Sequence, residues 1–520
     1  MISFRPLGAI ALSLCFSAMP LAAQLPPVTV PKGLLRVDIG GRFEWWDQRF
    51  RNGVREGVGA DFTRNPADGS WLPLLATAEA RLRQATGQTA LNLSLGRTSS
   101  TILVTGGTGY IGAGYGLTSR ITLFGTVPIV RVRVQHVFGN DTLSATAGLN
   151  PADPVVGNAT AQAQTGAFKT EFTAALTSLG LRIAAGDYNS DSEIKALAEQ
   201  TFADGIALKN SLDDLLGSTF LPVTGSAGQS AIAAKLETLR VAISTLVPTG
   251  PENPFGTPAF PSRGPIGAEL ESFATSTAGP IAAEPFQPPI LSYLGDVEVG
   301  AAFTWLDRRA ATGGFGIRSA LVGTVRLPTG QLDLPEDLFD QGTGDHQPDV
   351  QGDLVTDLFR GRFGARLTAR YVLQLPGPVD RRLSPYDQPF APAASLAGLT
   401  RDPGEILEGA FEPFFRIAPT LAITAGVRHW SKGADKYSYA PGQIPIDGTT
   451  PGVLAADSEE SATAFAAGIS FSHTGTRKDG TAGMPMDAWL RFESVTSSTM
   501  GRIPARRGVT AILRLYRRLF

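Results

Sequence analysis

Gly295-Asp-Val-Glu-Val-Gly-Ala-Ala-Phe-Thr-Trp305 alternates without a break. In an extended chain Val297, Val299, Ala301, Phe303 and Trp305 share one face, and Asp296, Glu298, Gly300, Ala302 and Thr304 share the other, because successive strand side chains point to opposite sides. Residues 362–375 repeat the pattern, with Phe363, Ala365, Leu367, Ala369, Tyr371 and Leu373 opposite Arg362, Arg366 and Arg370. A strand apolar on one side and charged on the other needs hydrocarbon on one flank and water on the other. In lipid only helices and closed barrels satisfy every backbone polar group, and the chain beyond residue 23 has no apolar run of about twenty residues that could cross as a helix. The expected fold is all-β: a transmembrane, antiparallel, up-and-down barrel whose charged faces line a lumen.

Segments of this kind recur at residues 34–47, 100–116, 119–136, 295–307, 314–327, 352–360, 362–375, 408–417, 420–431, 461–473, 486–497 and 508–520. That makes about twelve strands, with fourteen as the alternative, each long enough for the roughly ten residues of a tilted crossing. Short connections alternate with long ones, the pattern of periplasmic turns and outer loops. The chain opens with a short basic start at Met1–Arg5, an apolar Leu7–Leu21 and small residues before Gln24, so residues 1–23 read as an export signal. It closes on a strand ending in the aromatic Phe520. Together these features predict the outer membrane of a Gram-negative-type bacterium, with membrane lipid and, through the last strand, the barrel-assembly machinery as partners. The only cysteine, Cys15, lies in the signal, so the mature chain has no thiol chemistry.

Composition agrees. The 520 residues include 59 Gly and 37 Pro, only 18% are charged, and 45 basic residues stand against 47 acidic ones, which offers nucleic acid no electrostatic purchase. Two local features break the pattern. Arg131 and Arg133 share parity with Ile121 and Leu123, so a bulge near Pro128 is expected to turn them inward. Arg518 stands where an apolar residue is usual and is expected to snorkel to the interface.

Tyr110-Ile-Gly-Ala-Gly-Tyr-Gly-Leu-Thr-Ser-Arg-Ile-Thr-Leu-Phe-Gly-Thr-Val-Pro-Ile-Val130 resembles a hairpin of the outer-membrane meta-pathway phenol-degradation transporter family, which is distantly similar in style to fatty-acid and toluene channels. Gly295–Gly300, Leu327-Pro-Thr-Gly330 and Gly342-Thr-Gly344 resemble later stretches of it. The resemblance covers about a third of the chain. It implies a barrel and a hydrophobic or aromatic cargo.

Barrel strands at 24–136 and 295–520 flank an outer insert at 137–294, far longer than an ordinary loop. Apolar residues spaced by three and four predict amphipathic helices over Ser192–Leu216 and Ser230–Val247, with a third over Lys169–Ala185. The Pro/Gly-rich stretch 248–289 is expected to be irregular. The insert reads as a helical hairpin on the rim, with a regulatory plug or a partner-binding module as alternatives.

The inward registers carry Arg36, Arg42, Glu298, Arg318, Arg326, Arg362, Arg366, Arg370, Glu412, Arg416, Arg428, Arg491 and Glu493, with further acids at Asp38, Glu44, Asp296, Asp353, Asp357 and Asp487. They read either as a cationic pore lining for anionic solutes or as a lumen stapled by cross-strand ion pairs. Mixed signs and a barrel only slightly wider than eight strands favour the staples. Asp333, Glu336, Asp337, Asp340, Asp345, Asp349 and Asp353 crowd one loop and the strand after it, without a calcium-loop spacing, and read as a solvated acidic loop. His429 is the one histidine on an outward strand face, beside Ser431, but no acid is placed to orient it. No catalytic, cofactor or metal site is expected. The expected function is passive passage of small molecules; a structural or adhesive barrel whose insert binds a partner is the alternative.

Overall fold

The computed structural model describes residues 28–248, 253–286, 290–308, 314–339, 342–344, 346–473 and 484–518. Residues 1–23 with Cys15, read above as an export signal, the terminal Phe520, and Asp340 and Asp345 lie outside the described residues.

Twelve long strands form the wall: β1 (Leu34–Trp46), β2 (Arg97–Gly116), β3 (Ile121–Asp141), β4 (Glu298–Arg308), β5 (Phe315–Arg326), β6 (Asp349–Arg360), β7 (Phe363–Gln374), β8 (Ile406–Ala418), β9 (Leu421–Lys432), β10 (Glu460–His473), β11 (Met486–Met500) and β12 (Arg507–Arg518). Each pairs antiparallel with its sequence neighbours, and β12 returns to β1 from Leu34↔Arg518 to Trp45↔Arg507, which closes the barrel. The strand count is twelve, not fourteen.

The pleat sorts the side chains as the alternation predicts. Ile39, Phe43, Ile111, Phe303, Trp305, Leu321, Leu367, Phe411, Ile423, Phe465, Leu490 and Phe492 all stand exposed on the outer wall. A continuous outer belt of this kind is far larger than the exposed apolar patches that water tolerates, so it faces hydrocarbon. No described helix is long and apolar enough to cross a membrane; the strands make the crossing.

Three expectations need correction. β3 itself carries no bulge at Pro128: the β2–β3 register runs unbroken from Arg97↔Asp141 to Gly116↔Thr122, and the one-residue shift on its other edge, between Thr126↔Glu298 and Ile129↔Leu294, falls in the facing segment, so Arg131 and Arg133 stay on the outward face with Ile121, Leu123, Val127 and Ile129. The 21-residue β3 is about twice the length of a crossing, so its outer face leaves the apolar belt before Arg131. Arg518 shares the register of buried Tyr516, which is the inward one, so it is not set against lipid. Arg362 lies with Gly361 (φ +56°) in the tight turn between β6 and β7 and is exposed at the rim, outside the lumen.

All the long connections gather at one end of the barrel. There β2 and β3 rise above the wall, and their inward Ile102, Val104, Val134 and His136 join the core of a cap. Its helices are α1 (Pro73–Thr86), α2 (Ala159–Ala185), α3 (Ser192–Leu216), α4 (Ala227–Leu246) and α5 (Gly267–Ala274). The side chains of Asn158, Asp191 and Ser226 accept backbone N–H groups at the starts of α2, α3 and α4, as capping residues should. The inner face of α1 buries Leu75, Ala78 and Leu82 against Leu212, Leu215, Leu216 and Leu236 in one core. Small sheets made of 48–51, 54–57 and 502–504, and of 377–382, 396–402 and 436–439, complete this end.

Candidate functional site: the lumen

Seen from inside, nine arginines on the strands (Arg36, Arg42, Arg318, Arg326, Arg366, Arg370, Arg428, Arg491 and Arg514) form ion pairs with nine carboxylates (Asp38, Glu44, Glu298, Asp349, Asp353, Asp357, Glu408, Glu412 and Glu493) on inward registers. They are bonded in sequence around the wall. Asp353 meets Arg370 at 2.9 Å, Arg370 meets Glu408 at 3.5 Å, Glu408 meets Arg428 at 3.1 Å, and Arg428 meets Glu493 at 2.6 Å. Glu493 also meets Arg491 at 3.1 Å and Arg42 at 3.8 Å; Arg491 bonds Glu412, and Arg42 meets Glu44 at 2.9 Å. Lower in the wall Asp357 lies between Arg318 (2.6 Å) and Arg366 (2.7 Å), and near the cap Arg326 bridges Glu298 (3.3 Å) and Asp349 (2.9 Å).

Several of these bonds pass over a whole strand. Arg428 on β9 reaches Glu493 on β11 because β10 carries Ala464 and Ala466 on the inward face between them. Arg42 reaches Glu493 across Gly508 and Thr510 of β12 in the same way. Small residues on alternate strands therefore set which charges can meet. Arg416 belongs to neither group of pairs: its guanidinium donates to the Gly361 carbonyl and its backbone N–H to the Arg362 carbonyl (2.8 Å), which fixes the β6–β7 turn.

The β2–β5 side of the wall is different. Tyr110 lies flat on Gly40, where an added Cβ would sit 2.4 Å from its ring, and Phe124 lies on Gly300 at 2.5 Å. Glycine at these positions lets an aromatic ring rest against the neighbouring strand and not project into the lumen. In front of the rings a cavity of about 540 Å³ opens, lined by Tyr110, Phe124, Pro128, Val322 and Val355 on one side and by Arg36, Asp38, Arg366, Arg370 and Arg514 among the charged groups. Arg36 meets Asp38 at 2.9 Å and Arg514 meets it at 3.3 Å.

The floor of this cavity is the segment before β1. Val30, 1% exposed, donates its N–H to the Thr122 hydroxyl at 2.7 Å, and the hydroxyls of Thr29 and Thr304 lie 2.8 Å apart. Val28 faces the cavity. The segment thus forms a strap across the short-turn mouth.

Of the expected lumen residues, Arg36, Arg42, Glu298, Arg318, Arg326, Arg366, Arg370, Glu412, Arg428, Arg491 and Glu493 lie in these pairs, Arg416 braces a turn, and Arg362 is outside. Arg514, Glu408 and the strap were not anticipated. Arg514 was readable from the inward parity of Tyr516, and the strap left no periodic signal. The acidic loop disperses: Asp349 and Asp353 belong to the lumen, Asp333 pairs with Arg381 at 2.6 Å, and the Asp337 carboxylate accepts the Phe339 N–H. Among the described residues no cluster of three or more His, Cys, Asp or Glu could hold a metal. On the lipid face, His429 Nδ1 lies 3.0 Å from the Thr463 hydroxyl.

No family model and no curated protein matches the chain. Among solved structures it is similar to an outer membrane channel from Pseudomonas putida F1 (10% identity, TM-score 0.39, 95% of this chain and 99% of that one). It is also similar to the transport unit of the autotransporter AIDA-I from Escherichia coli (6%, 0.30, 95% and 93%) and to the Pseudomonas putida toluene transporter TodX (9%, 0.23, 94% and 90%). Likeness of this size carries no argument about cargo.

Proposed function

We propose that this protein is an outer-membrane channel for passive passage of small molecules with an apolar or aromatic body, its capped end toward the cell exterior and its short turns in the periplasm. The supporting observation is the single-sided lumen cavity. Rings held flat against glycines leave a way past one half of the wall, while the other half is filled by paired charges, so a solute meets aromatic surface on one side and guanidinium groups on the other. A small aromatic carboxylate satisfies both faces. The resemblance of the Tyr110–Val130 hairpin to the phenol-degradation transporters points the same way. The last strand β12, with Val509, Leu513 and Leu515 outward, is the segment for the assembly machinery to engage.

The cap core above and the strap below favour a second reading, a barrel that does not conduct and whose cap binds a partner. Uptake of benzoate, phenol and glucose into proteoliposomes separates the two. Benzoate entering several-fold faster than glucose supports the channel. No uptake and no conductance in planar bilayers, by the parent and also by forms lacking residues 28–31 or 140–290, overturns it.

A further inference from the structure

The unbroken pleat of β3 leaves two cations in an unusual position. Ile129, 56% exposed, is the last outward apolar residue before Arg131 and Arg133. Neither arginine has an ion-pair partner among the described residues, whereas nearly every lumen arginine is paired. They stand two residues apart on one face, so their Cα atoms are about 7 Å apart along the strand. Across the hairpin, Arg131 pairs with Gly107 and Ile129 with Gly109. A Cβ at either glycine would meet nothing within 4 Å, so the backbone there lies open to an approaching group. On the other side, Ser292 is the register partner of Arg131 and is exposed.

We infer that Arg131 and Arg133 form a binding site for a phosphorylated lipid of the outer leaflet, with its phosphate held by the two guanidiniums over Gly107 and its acyl chains lying along Ile129 and the belt below. Guanidinium forks match phosphate oxygens bidentately. An apolar wall ending in a dication reads an amphiphile whose anionic head stands directly above its chains, and a free anion would have no use for the wall. The inference rests on the proposed orientation only for which leaflet supplies the lipid.

The test is native mass spectrometry of the full chain in detergent, with diphosphoryl lipid A as the probe and phosphatidylethanolamine as the comparison. With about a factor of five per basic side chain at an anionic lipid surface, Arg131→Gln with Arg133→Gln weakens lipid A retention roughly thirty-fold. Arg517→Gln, at the opposite rim, leaves it unchanged. Heat-modifiable gel mobility reports whether each variant is a closed barrel; if the double variant is not, the single variants decide, each losing about five-fold. Equal retention by parent and folded variants, or equal retention of phosphatidylethanolamine by the parent, overturns the site. Because binding is read without transport, failure here leaves the channel reading standing, and a silent channel leaves this site standing.

Discussion

Two glycines that look alike in sequence have opposite tasks. At Gly40 a new Cβ meets only the ring of Tyr110, the movable end of a side chain, so the ring swings away and the wall survives. Gly40→Val is therefore expected to assemble normally and to lower single-channel conductance, because the displaced ring enters the cavity. At Gly116 a Cβ falls 2.1 Å from the Pro31 carbonyl oxygen, a backbone atom that cannot step aside alone. Gly116→Ala is expected to push the strap out of the mouth and raise conductance. Unchanged conductance in Gly116→Ala would show that the strap is no obstacle. Neither role was legible in the sequence: an inward glycine announces a gap, but whether a ring or a passing strand fills it depends on a partner seventy or more residues away.

At the scale of elements, alternation carried most of the information. It fixed the faces of β4 and β7 because lipid and lumen sort every second side chain, and a one-residue slip would reverse both. Leu367→Arg places a charge on the outer wall, at a cost of about 2 to 4 kcal/mol near the bilayer midplane, and is expected to impair assembly far more than Thr368→Arg, whose side chain enters the lumen. Equal heat-modifiable fractions of the two variants would mean the faces are reversed. The bulge assigned to Pro128 failed because parity was read as if all of β3 lay in the bilayer; a strand that outgrows its membrane can carry arginines outward. In the cap, α1 was missed although Leu75, Ala78 and Leu82 have helical spacing, since the loop around it is rich in Pro, Gly and polar residues. The eight residues of α5 are too few for a period to show.

For the molecule as a whole, the pairing of nine arginines with nine carboxylates predicts a narrow pore with little ion preference, because paired charges cancel the field that would select an ion. Removing Arg366 and Arg370 together as alanines strips Asp353 of its arginine, leaves Asp357 with Arg318 alone and gives the lumen two fewer positive charges, which is expected to raise conductance and turn the preference toward cations in reversal-potential measurements. A parent that is strongly anion-selective would show that the arginines line an open anion path. The proposed orientation is checked separately with an epitope tag at Gly225, which is exposed in a turn before α4 with φ +83° and has open space where a Cβ would sit. The tag is expected to be labelled on intact cells, and labelling only after permeabilisation would invert the molecule.

The hydrogen-bonded seam between β1 and β12 has a topological consequence. Leu34 and Arg518 are register partners, so the two ends of the wall lie side by side at the short-turn rim. A short linker joining them would make the wall an endless ribbon, which could be cut at any exposed loop without losing a rung of its ladder. What such a ribbon would lose is the strap, since Val28 to Gly33 exist only because the wall has a beginning. The wall is thus indifferent to where the polypeptide starts, and the mouth is not: the chain's direction is written into one rim and nowhere else on the cylinder.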